Sequence, residues 1–179
     1  MEIEEIYKPY IYSIKYEGQD SSEFDRLFDA WNDMAEVVEF MQSHQEYLNN
    51  PIWGKCYTPE SAARKVREEA IELEDLFFNL CKNADQGKTP DYDSHFNFLG
   101  GKYQVYEYIP MKSYGTGRPS FLRMYAIKLK SNLYVITGGG IKLADKIQDS
   151  PDLQKHVLQN INKVRTWLIQ NGIIDAQDL

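Results

Sequence analysis

The chain has 179 residues, of which 42% are hydrophobic and 26% charged, and its net charge is −7. That length and balance fit one folded domain and exclude both wholesale disorder and a chain-wide basic coat for nucleic acid. The average conceals a split: residues 1–90 hold 19 acidic and 9 basic side chains, whereas residues 95–146 hold 8 basic against Glu107 and Asp145.

In chain order, the aromatic and β-branched run Tyr10–Tyr16 predicts a strand that ends at Gly18. Ser21-Ser22-Glu23 opens a helix, with a cap hydroxyl and an acid in the first turn. Phe24, Leu27, Phe28, Trp31, Met34, Ala35, Val38 and Met41 repeat at three and four residues, predicting a helix to about Leu48 with a break near Asn32. Asn49-Asn50-Pro51 stops it. Thr58-Pro59-Glu60-Ser61 starts a second long helix, to about Asn83, with Glu68, Glu69, Glu72, Glu74 and Asp75 expected on its wet face. Residues 84–94 form a polar loop.

The pattern then changes. Four strand-like runs follow, His95–Leu99, Lys102–Ile109, Phe121–Lys130 and Leu133–Thr137, with Gly100-Gly101 and Ser131-Asn132 as tight turns. Gly138-Gly139-Gly140 is expected to break the sheet, and Ile141–Ile147 to form a short basic turn or helix. Ser150-Pro151-Asp152 caps a last helix, which Gly172 stops. The expected fold class is α+β: an antiparallel meander, with N-terminal helices and a C-terminal helix packed on one face.

Cys56 and Cys81 have neither metal-ligand nor redox spacing, and His44, His95 and His156 lie on different elements, so no metal or cofactor is expected. No run approaches the ~18 apolar residues of a membrane span, and the acidic start lacks a basic-then-apolar leader. The expectation is a soluble, cytoplasmic protein. Gly138-Gly139-Gly140-Ile141-Lys142 is not a Walker motif. It reads either as successive amides around an anion or as a glycine-rich edge where the strand bulges. The basic cluster is the stronger signal. Alternation along Phe121–Ile127 puts Phe121, Arg123 and Tyr125 on one strand face, and Tyr103, Tyr106, Tyr108, Tyr114 and Tyr134 lie nearby. Aromatics interleaved with Lys and Arg suit base stacking and phosphate binding.

The run Phe121-Leu122-Arg123-Met124-Tyr125-Ala126-Ile127, then Leu133–Gly140, then Ile141-Lys142-Leu143-Ala144-Asp145-Lys146, resembles the C-terminal core of the RelE/ParE/HigB-like toxins of bacterial type II toxin–antitoxin systems. The order of the N-terminal strand, the helices around Phe28-Asp29-Ala30-Trp31 and the pair near Phe98–Tyr103 is similar to that of the family. The resemblance implies a single RelE-like domain over 1–179, with an enlarged acidic helical part at about 21–83. It implies a metal-independent endoribonuclease acting on ribosome-bound mRNA, neutralised by a cognate antitoxin of helix-turn-helix type. By position, Arg123, Lys142 and Lys146 match catalytic basic positions, and Lys112, Arg118, Tyr125 and Lys102 are the implied substrate-binding set. Beyond Lys146 the remaining aromatic is Trp167, and His156 lies inside a helix, so the family's C-terminal catalytic Tyr or His has no clear counterpart. The alternatives are a ParE-like gyrase poison, a catalytically silent protein-binding module of the same fold, or an unrelated α+β domain with a small-molecule pocket.

Overall fold

In the computed structural model, which describes residues 1–88, 90–99, 108–153 and 156–179, the elements run β1 (Glu2–Tyr7), β2 (Ile11–Lys15), α1 (Glu23–Asn32), α2 (Met34–Ser43), α3 (Pro59–Asp85), β3 (Phe96–Phe98), β4 (Ile109–Ser113), β5 (Leu122–Lys128), β6 (Tyr134–Ile141) and α4 (Val157–Gln170). The helix starts follow the sequence. The Ser22 side chain accepts from the Asp25 N–H at the head of α1. Asp33 ends α1 and caps α2 through the Ala35 and Glu36 N–H groups, which is the break expected near Asn32. Thr58 and Ser61 form a reciprocal capping box with Pro59 in the first turn of α3, an arrangement that stabilises a helix by about 1 kcal/mol.

The sheet has six strands in the order β1-β2-β6-β5-β4-β3. It is not the antiparallel meander expected. β4, β5 and β6 do pair antiparallel in sequence order, and Asn132 makes the β5–β6 turn at φ +57°. But β2 lies parallel beside β6, Ile11 opposite Tyr134 and Ser13 opposite Ile136. Ile11, Ser13 and Ile14 are each fully buried, as suits a strand with neighbours on both edges and layers on both faces. β1, which the acidic run at Glu2-Glu4-Glu5 hides, pairs antiparallel with β2 and closes that edge of the sheet. Charge on an edge strand discourages pairing with a further chain. The Gly100-Gly101 turn and most of the Lys102–Ile109 strand lie outside the described residues.

The helices do not share one face. α1, α2 and α3 cover the side that carries Ile11, Met124, Ala126 and Ile136, whereas α4 covers Tyr12, Ile14, Ile127 and Val135 on the other. Every residue from Phe121 to Ile127 is therefore buried. Near the α3 end, Phe77 stacks on Phe96 at 5.7 Å and Phe96 on Tyr134 at 4.7 Å.

Two further expectations change. Gly138-Gly139-Gly140 does not break the sheet, because β6 runs through it to Ile141. A bulge at Thr137 shifts the register between Tyr125 and Ala126, and Gly138 sits at φ +146°. A Cβ on Gly139 would meet the Arg123 carbonyl at 2.4 Å and Leu27 Cδ1 at 2.9 Å. The glycines are sites of close approach, and of the two readings the bulged strand edge is the one observed. α4 begins at Val157 rather than after Ser150-Pro151-Asp152, because those side chains bond elsewhere. Ser150 Oγ donates to Ile141 O and accepts from Leu143 N–H, and Asp152 Oδ2 accepts from Ile141 N–H at 2.7 Å. Between Ile141 and α4 the described chain has one 3-10 turn, Ile147–Asp149.

Candidate functional site

The sheet brings much of the basic set together where β4 leaves and β5 enters. Lys112 lies opposite Tyr125, and Arg123 opposite Gly140. Alternation keeps Lys112, Arg123 and Tyr125 on one side of the pleat. Tyr114, the second residue beyond Lys112, is the centre of the group. The Arg123 guanidinium lies 4.5 Å from its ring centroid, that of Arg118 4.6 Å, and the Lys112 ammonium 5.1 Å.

Acids on α3 hold the loop that carries Arg118. Glu69, fully buried, accepts through Oε2 from Ser120 Oγ and from the Phe121 N–H, each at 2.9 Å. Thr116 Oγ1 donates to Glu72. Lys65 pairs with Glu69 Oε1 at 3.5 Å. Arg123 Nη1 in turn donates to Ser120 O at 2.9 Å and to Leu122 O. An acidic helix thus organises a cationic loop, which is what the two-part charge pattern becomes in three dimensions.

Electrostatics set Tyr114 apart. Burial pushes its phenol up, but hydrogen bonding to Lys112 and the charges of Lys112, Arg123 and Arg118 outweigh that and hold it below the ordinary tyrosine value. Burial lowers Arg123 and also Lys142, the latter with help from Arg123 and against Asp145 and Tyr114. Burial raises Tyr125 to about 12, against the pull of Arg123. Tyr114 also lines a cleft of 210 Å³ with His95, Asn97, Thr116 and Arg118. Burial holds His95 below the ordinary imidazole value, with Asp91 opposing, so the ring is neutral at pH 7.

Of the residues expected from sequence, Lys112, Arg118 and Arg123 meet at Tyr114, and Lys142 lies within electrostatic reach of Arg123 and Tyr114. Lys146 is exposed at the head of the 3-10 turn, and among the described residues no hydrogen bond, ion pair or ring contact joins it to the group. Tyr125 is 1% exposed and its hydroxyl lacks a hydrogen-bond partner among the described residues. Lys102 lies outside the described residues. The sequence pattern alone marks neither Tyr114 nor His95 for proton transfer. The i, i+2 spacing of Lys112 and Tyr114 was the available signal for the first, and nothing local marks the second. A larger cleft, of 610 Å³, runs along β6 between α1 and the start of α4. Among the described residues no group of three His, Cys, Asp or Glu is placed to hold a metal ion, and no helix is long and apolar enough to cross a membrane.

In comparison with known proteins, no family model matches the chain, and no curated protein or solved structure matches it either.

Proposed function

We propose that this protein is a metal-independent endoribonuclease of the RelE/ParE/HigB-like toxin kind, cutting ribosome-bound mRNA, with a cognate antitoxin as its partner. The observation that supports the reading is Tyr114, a tyrosine of lowered pKa ringed by three cations and sharing a small cleft with a neutral histidine. A nucleic-acid backbone needs that chemistry. The ribose 2′-oxygen attacks the adjacent phosphorus, the bond from phosphorus to the 5′-oxygen breaks, and a 2′,3′-cyclic phosphate and a 5′-hydroxyl result. His95, neutral, accepts the 2′-hydroxyl proton. Tyr114 donates its phenolic proton to the departing 5′-oxygen, which a lowered pKa favours. Lys112, Arg118 and Lys142 balance the charge gathering on the phosphate oxygens.

One observation favours a second reading, a protein-binding module that does no chemistry. Arg123 is 8% exposed, and one of its nitrogens is held by two backbone carbonyls, as befits a structural arginine. Induced expression followed by primer extension on cellular mRNA decides between them. The nuclease reading expects growth arrest with new 5′ ends, lost in Lys112→Ala and retained in Lys55→Ala, whose lysine lies over the Tyr57 ring instead. Growth arrest with uncut mRNA sinks it.

A further inference from the structure

The 610 Å³ cleft takes no part in the reaction above. It exists because β6 outruns β2. Their ladder ends with Ser13 opposite Ile136, yet β6 continues to Ile141, and among the described residues no strand pairs with its last stretch on that side. Side chains close the two ends of this gap. The Tyr16 hydroxyl donates to Thr137 O at 2.7 Å, and Asp152 Oδ2 accepts from Ile141 N–H at 2.7 Å. A neighbouring strand's backbone would make the same two bonds. Between them, Gly139 presents its N–H and C=O to the gap. Lys142 N–H bonds Phe121 O just before β5, and backbone groups alternate from one edge to the other along an antiparallel ladder. The adjacent glycines add no side chain to block that edge.

The walls say what enters. Leu27, Ala30, Trp31, Val37 and Phe40 line one side. Glu17, Glu23, Glu36 and Asp152 line the cleft against two fixed cations, Arg26 and Lys163, and Arg26 is already paired with Glu23 at 2.8 Å. Tyr125 adds a buried hydroxyl that has no partner among the described residues. An extended backbone matches the bare edge, apolar side chains match the wall, and positive ones match the surplus of acids.

We infer that the gap beside Gly138–Ile141 is a docking slot for an extended peptide segment of a partner protein, alternately apolar and basic, which joins the sheet as a strand beside β6. Asp152 leaves the Ile141 N–H as the segment's carbonyl takes its place. The slot does not depend on the nuclease reading, because none of its bonds involves Tyr114, His95 or the cations around them.

The test pans a phage-displayed library of random peptides on the full chain, with Ala30→Arg as the counter-selected variant, and then measures the enriched peptides in synthetic form. Ala30 is a half-buried helical position on the cleft wall, so arginine there fills the slot without emptying the core. The slot predicts enrichment of peptides alternating apolar residues with Lys or Arg. It predicts slowed hydrogen exchange at the Gly139 amide when they bind. It also predicts an affinity loss of at least about tenfold in Ala30→Arg and on N-methylation of alternate peptide nitrogens. An absence of enriched sequences, or peptides that bind Ala30→Arg equally well and leave Gly139 exchanging as before, overturns it. Enriched peptides that tolerate N-methylation of alternate nitrogens bind without pairing as a strand, which also overturns it.

Discussion

The two clefts are built on opposite plans. Around Tyr114 charged side chains set the character of the site, with three like charges drawn onto one ring and the loop that bears Arg118 tied to α3 through Glu69 and Glu72. Along β6 a bare strand edge faces apolar walls and charges of both signs, with glycines where neighbouring segments press closest. The first plan places unbalanced positive charge on an otherwise acidic protein, and keeping like charges together has a cost unless an anion arrives. The second leaves unpaired strand edge, which has a cost unless another backbone arrives. Each cleft is incomplete in a different way, and that incompleteness is what supports the class of ligand proposed for it.

The sharpest break between them comes at Tyr114. Tyr114→Phe keeps the ring that the three cations surround and removes the dissociable proton. On the nuclease reading, cleavage of ribosome-bound mRNA by the added chain falls by about 10²–10⁴-fold, while the thermal midpoint stays close to that of the parent. On the same reading, the parent's rate against pH is expected to be bell-shaped. It rises as His95 loses its proton, below the ordinary value of 6.5, and falls as Tyr114 loses its own, below the ordinary value of 10.0. A Phe variant that cleaves at the parental rate removes Tyr114 from the chemistry. Peptide binding along β6 is expected to be the same in both proteins.

The second contrast is mechanical and smaller. Gly139→Ala forces a Cβ against the Arg123 carbonyl at 2.4 Å, a backbone atom that cannot swing aside. A loss of about 1–3 kcal/mol in urea unfolding follows. Gly117, in the cationic loop, has nothing within 4 Å of the same added atom and no positive φ. Gly117→Ala is expected to leave stability unchanged or raise it by up to about 1 kcal/mol. Equal costs at the two positions contradict the account of β6 as a strand pressed by its neighbours.

These positions also show what the sequence makes legible. Period-2 alternation along Phe121–Ile127 puts Arg123 and Tyr125 on a shared face, and the cap at Thr58 marks a helix end, because both are local rules. The parallel insertion of β2 beside β6 is a tertiary choice. Tyr10–Tyr16 reads as a strand under any pairing, and only the burial of Ile11, Ser13 and Ile14 shows that it is interior. Ser150 and Asp152 have the composition of a helix cap, but they bond the end of β6, so a correct propensity gives a displaced helix start. Tyr114 becomes distinctive only when the loop from Gly115 to Ser120 folds back and sets Arg118 and Arg123 beside the ring. The family resemblance marks the basic residues by position but not the tyrosine between them.

The smallest effect tests the tie between the acidic helix and the cationic loop. Burial raises the Glu69 carboxyl above its ordinary value of 4.5, against the Ser120 and Phe121 hydrogen bonds and the Lys65 charge. In the folded protein this group therefore holds its proton at pH values where the unfolded chain has released it. The folded state binds more protons across that window, so Glu69 contributes stability that is fully present below 4.5 and is lost as pH rises through the raised value. Glu69→Gln removes the titration but keeps an acceptor for Ser120 Oγ and the Phe121 N–H. Urea midpoints at pH 5 and pH 7.5 are expected to fall less with rising pH in the variant than in the parent, a difference of about 1 kcal/mol or less. Asp152, whose carboxyl burial also raises, supplies the same sign of slope in both proteins and cancels in the comparison. Parallel curves would place Glu69 in a wetter setting than a fully buried anchor, and the loop carrying Arg118 would then need another hold on α3.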